Sequence, residues 1–76
     1  MNQKSLEIAS KVLKESVENL KNNYEILEED HAILFWQSFR GGNSVIVADD
    51  GSYLAATSAV SPEKLLSEFR NGRRTN

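Results

Sequence analysis

Seventy-six residues without a cysteine make one small domain and exclude both a disulfide framework and a thiolate metal site. The net charge of −2 argues against the basic surface that nucleic acid requires. No apolar run approaches the roughly 20 residues of a membrane span and the first residues lack a basic-then-apolar leader pattern, so a soluble cytoplasmic chain is expected.

Leu6, Ala9, Val12, Leu13, Val17, Leu20 and Tyr24 recur at spacings of three and four, with Lys and Glu filling much of the remainder. That spacing predicts an amphipathic helix over about residues 5–21, ending at Asn22-Asn23. Between Tyr24 and Asp30, Tyr24, Ile26 and Glu28 alternate with Glu25, Leu27 and Glu29, which fits a short extra strand or a connecting turn. Glu25, Glu28, Glu29 and Asp30 form an acidic cluster suited to attracting a basic partner.

Three runs rich in β-branched and aromatic residues follow: 32–39, 44–48 and 53–57. Gly41-Gly42 and Asp50-Gly51 separate them and read as two-residue hairpin loops. On that register Trp36 pairs with Val47, Val47 faces Leu54, and alternate side chains share a face. Leu34, Trp36, Val45, Val47 and Leu54 then form one face, with Trp36 held between sheet and helices. Ile33, Phe35, Phe39, Ile46 and Tyr53 form the other. Ser61-Pro62-Glu63 starts a last helix, with Ser as cap and Pro in the first turn, and Asn71-Gly72 stops it. Residues 1–72 are read as the domain and 73–76 as a frayed tail.

The expected architecture is α+β: a three-stranded antiparallel meander in the order α-β-β-β-α, with both helices on one face and room for an extra strand near 24–30. That arrangement leaves Phe35, Phe39, Ile46 and Tyr53 as an exposed apolar patch, the mark of an interaction site. Together with Glu28, Glu29 and Asp30 they are the expected partner-binding residues. No catalytic, cofactor or metal set is expected. His31 lacks a nucleophile partner, Asp49-Asp50 sits in a turn, and Arg40-Gly41-Gly42-Asn43 precedes a strand rather than a helix. The element order matches that of double-stranded RNA-binding domains. The start of the last helix, however, carries Glu63 beside Lys64 instead of a lysine cluster, so no nucleic-acid partner is expected.

Leu34-Phe35-Trp36-Gln37-Ser38, then Gly42-Asn43, Val47, Asp50-Gly51, Ala56-Thr57-Ser58 and Pro62-Glu63 before an apolar helix resembles the YrhB-like immunity proteins, polymorphic toxin immunity family thirty-five. The resemblance covers roughly residues 31–70. Ala32 stands where that family has Trp, Ser44 replaces its Pro, Ala56 stands for Gly, and Ala59-Val60-Ser61 lengthens the entry to the last helix. The resemblance implies a bacterial protein that binds a toxin and neutralises it by stoichiometric occlusion. The residues themselves leave open a second copy of the chain as the partner, in a homodimer formed through the outer sheet face, and, as a third reading, a weak double-stranded RNA-binding-like domain.

Overall fold

The computed structural model describes residues 3–38 and 41–75. The protein is α+β. Two helices, α1 (Gln3–Leu13) and α2 (Val17–Leu20), precede four antiparallel strands: β1 (Tyr24–Leu27), β2 (Ala32–Trp36), β3 (Ser44–Ala48) and β4 (Tyr53–Ala56). The strands lie in the sheet in chain order, and α3 (Pro62–Arg70) follows them. The segment that fitted either a strand or a turn is both: β1, then a 3-10 turn over Glu28–Asp30.

The single helix expected over about 5–21 is broken in two. Lys14 adopts a left-handed conformation (φ 54°), and the Glu15 N–H donates back to the Ser10 carbonyl at 3.1 Å. That bond is the long closing bond of a Schellman stop. Ser10 Oγ donates to the Glu15 carbonyl at 2.6 Å, and Ser16 Oγ caps α2 by accepting the Asn19 N–H at 3.2 Å. The reason is length. A straight 17-residue helix would run roughly 25 Å, whereas a five-residue strand spans only about 17 Å. Breaking the helix lets Leu20 return to the core, where it is fully buried.

Both hairpins differ from the two-residue loops read from the sequence. In the first, the Gln37 N–H donates to the Asn43 carbonyl at 3.0 Å, and Phe35 pairs with Val45. The Gln37 side chain fixes this longer loop: Nε2 donates to the Leu13 carbonyl at the end of α1, and Oε1 accepts the Asn43 N–H. In the second, the Ala48 N–H donates to the Ser52 carbonyl at 2.8 Å, leaving a three-residue loop with Gly51 at φ 92°. Such a loop needs a left-handed residue at its third position, which glycine supplies without strain. The first slip is three residues and the second is one. Both are odd, so β3 is turned over while β4 keeps its expected relation to β2.

The helices take opposite faces, correcting the expectation that both share one. Two separate cores result. Leu6, Ala9, Leu13 and Leu20 pack on Ile33, Phe35, Val45 and Val47. Leu65 and Phe69 of α3 pack on Ala32, Leu34, Ile46 and Ala48. A sheet apolar on both faces needs a cover on each, and one helix per face satisfies this. A helix is about 10 Å across and strands are about 4.8 Å apart, so each helix covers about two strands. α1 lies over β2 and β3, and α3 over β3 and β4. β1 receives little of either.

Candidate functional site

Burial redistributes the residues expected to bind a partner. Phe35 and Ile46 are fully buried, and they belong to different cores on opposite faces of the sheet. They form no exposed patch, because the β3 inversion separates them and each helix seals one. Tyr53 is half-buried against the α1 core. Phe39 lies outside the described residues. Trp36, expected between sheet and helices opposite Val47, pairs with Ser44 and is half-buried on the α3 side. Glu28 and Glu29 are exposed. Asp30 is held in a two-pronged pair with Arg70 at 2.9 and 3.0 Å, tying the end of α3 to the turn after β1. The Arg70 hydrogen bonds, followed by its charge, hold the Asp30 carboxyl below its usual value.

What remains open is the outer edge of the sheet along β1. Tyr24 and Ile26 are 36% and 52% exposed, the large apolar side chains that stand out on the surface among the described residues. Both fall on the α1 side, opposite Phe35 and Ile33, and the Tyr24 ring lies 6.4 Å from that of Phe35. Asn23 accepts the Trp36 N–H at 3.2 Å. By the alternation of an antiparallel ladder, residues 23, 25 and 27 then bond to β2, while the amides and carbonyls of Tyr24 and Ile26 point away from the sheet. Among the described residues, no strand pairs with that side.

On the α3 side, β1 borders two adjoining hollows. Leu27, Leu34, Trp36, Pro62 and Leu66 wall them, and the exposed Glu25 and Glu63 also line them. A shallow hollow at the other end of the strand is lined by Ile26, Leu27, Glu28, Glu29, Asp30 and Arg70. Among the described residues Glu25, Glu28 and Glu29 are in no salt bridge, although Glu29 lies within the field of Arg70, and the three carboxylates flank this edge.

The opposite edge is closed. Gly72 (φ 91°) ends α3, with the Arg73 N–H returning to the Glu68 carbonyl, and the chain turns back along β4. The Thr75 N–H donates to the Tyr53 carbonyl at 2.7 Å, and the Ala55 N–H donates to Thr75 Oγ1 at 2.9 Å. Arg74 places its guanidinium 3.7 Å from the centre of the Phe69 ring and donates to Ser52 Oγ and the Phe69 carbonyl. The residues expected to fray from Arg73 onward are therefore bonded to the sheet as far as Thr75.

Among the described residues, no group of three His, Asp or Glu side chains is placed to hold a metal ion, and no helix is long and apolar enough to cross a membrane. Sequence reasoning missed Tyr24 and Ile26. Their alternation with Glu25 and Leu27 was the available signal, but it could not say that neither helix would reach them. No protein-family model, curated protein or solved structure matches this chain.

Proposed function

We propose that this chain is a small non-catalytic binding protein that works in the bacterial cytoplasm by occluding a protein partner, a toxin domain on the resemblance to the YrhB-like immunity proteins. One observation carries the reading: the C-terminal residues bond along the β4 edge, whereas the β1 edge stands open with Tyr24 and Ile26 exposed beside Glu25, Glu28 and Glu29. An unpaired strand edge with apolar side chains is a hazard that proteins ordinarily cover or charge; here charge alone guards it, which repels a like-charged strand and leaves the edge open to a basic partner. The binding group is then Tyr24, Glu25, Ile26, Glu28 and Glu29. Phe35 and Ile46 support it from within.

The burial of Phe35 and Ile46 argues against self-association through the outer sheet face. The extra strand and the opposed helices remove the match in element order to double-stranded RNA-binding domains, and carboxylates at the open edge repel phosphates. The test is co-expression with the product of a toxin gene beside its own. A one-to-one complex and protected growth are expected, and both should be lost on joint substitution of Ile26→Lys, Glu28→Lys and Glu29→Lys. Continued killing by the toxin without a complex would refute the toxin reading.

A further inference from the structure

Building on the protein-binding reading above, we propose that β1 takes up a basic extended segment of its partner as a fifth strand, with a Lys or Arg of that segment standing between two apolar residues. The backbone supplies the rungs, since Tyr24 and Ile26 each turn an N–H and a C=O outward. Side-chain alternation supplies the pattern. Residues opposite Tyr24 and Ile26 fall on the α1 side, against the exposed ring and the exposed isoleucine. The residue opposite Glu25 falls on the α3 side, at the hollow walled by Leu34, Trp36 and Pro62. A long basic side chain there lays its methylene stem along the apolar wall and carries its charge to the Glu25 carboxylate. The same alternation holds whether the segment runs parallel or antiparallel to β1.

Charge selects this occupant over a second copy. In the antiparallel pairing of two β1 edges that sets Tyr24 opposite Ile26, Glu25 of one chain meets Glu25 of the other, and among the described residues neither is in a salt bridge. Like charges opposed across strands destabilise a sheet, whereas a basic strand converts the same carboxylates into attraction.

The test uses the full chain, isotopically labelled, with two synthetic peptides as probes: one centred on Thr-Val-Lys-Val-Thr, and the same peptide with Glu in place of Lys. The lysine peptide is expected to slow amide exchange at Tyr24 and Ile26 while leaving Ala55 unchanged. The glutamate peptide is expected to bind about tenfold more weakly. Ile26→Pro removes an outward N–H that β2 does not use, a position where a strand tolerates proline, and should abolish the protection at Tyr24, the outward amide that remains, with the fold retained. If the proline variant unfolds, exchange in the unsubstituted chain decides alone. Equal binding of both peptides, or shifts confined to other residues, overturns the proposal. So does dimerisation in sedimentation with Tyr24 and Ile26 already protected, which would make a second copy the occupant. A toxin complex that leaves those two amides unprotected sinks strand addition and spares the binding reading. Peptide binding without any toxin complex upholds the strand site and removes the toxin.

Discussion

The β4 and β1 edges are built on the same backbone pattern, each turning two residues outward: Tyr53 and Ala55 on one side, Tyr24 and Ile26 on the other. Thr75 bonds both Tyr53 and Ala55, and Arg74 fastens that segment through the Phe69 ring and carbonyl. Along β1 no strand plays that role among the described residues, and three carboxylates stand beside it instead. The difference teaches how a short chain divides its cover. Two helices about 10 Å wide shield about two strands each, a returning C-terminal segment shields the β4 edge, and β1 is left to charge alone.

The largest way to disturb this contrast is to remove the frame that both edges hang on. Phe35 is fully buried under α1 and lies beside the Tyr24 ring, so Phe35→Ala should cost about 3–5 kcal/mol, measured by urea denaturation. Phe35→Asp should abolish folding outright, which circular dichroism reads directly; a folded Phe35→Asp chain would mean the α1 core is misplaced. Next comes erasing the asymmetry itself. Ending the chain at Arg73 keeps the α3 stop but removes Arg74 and Thr75, and should cost about 1–2 kcal/mol. The Ala55 amide should then exchange faster, and association through β4 should appear in sedimentation, because that edge lacks the acidic guard of β1.

A smaller effect is expected at the open edge. Ile26→Lys changes a half-exposed side chain and should shift stability by no more than about 0.5 kcal/mol, which a thermal melt resolves. A large loss there would mean that β1 is covered after all. The smallest effect is confined to acid. Asp30 and Asp50 are held below the ordinary carboxylate value of 3.8, Asp30 chiefly by hydrogen bonds from Arg70 and Asp50 chiefly by those from Ser52. A depressed folded value adds stability that is present above the unfolded value and lost as pH falls through the folded one. Asp30→Asn should therefore change the thermal midpoint little near neutrality, where the exposed pair contributes modestly, and should flatten its decline below about pH 4. An unchanged acid limb would show that Arg70 does not hold Asp30 in solution.

How much of this was legible in the sequence depended on whether the signal was local. α3 was read from Ser61 to Gly72, and the structure places Ser61 as its cap, accepting the Lys64 N–H, with Gly72 left-handed at its end. Caps and stops are decided within a few residues. The register of β2 on β3 was not local, because Gln37 reaches the end of α1, 24 positions away, and holds the first loop open. Gly41-Gly42 looked sufficient for a tight turn, yet the glycine pair alone does not choose the loop length. The length of that loop sets which face β3 presents, and with it the separation of Ile46 from Phe35. The open edge was half visible: the alternation in 24–27 marked a strand, but its exposure follows from where the helices end. The helix break at Lys14 carried no glycine or proline to announce it.

The sheet's sequential order has a kinetic consequence. Each strand pairs with its neighbour along the chain, and no connection crosses over another strand. Closing short loops costs little entropy, so the meander can zip from either hairpin without waiting for a distant segment. A domain of this topology should refold in a single phase within roughly milliseconds. α1 and α3 arrive from opposite ends of the chain onto opposite faces, so neither helix needs the other in place before it docks. Weakening the α1 core and the α3 core should therefore act on the refolding rate independently, and each half of the protein can be slowed without stalling the other.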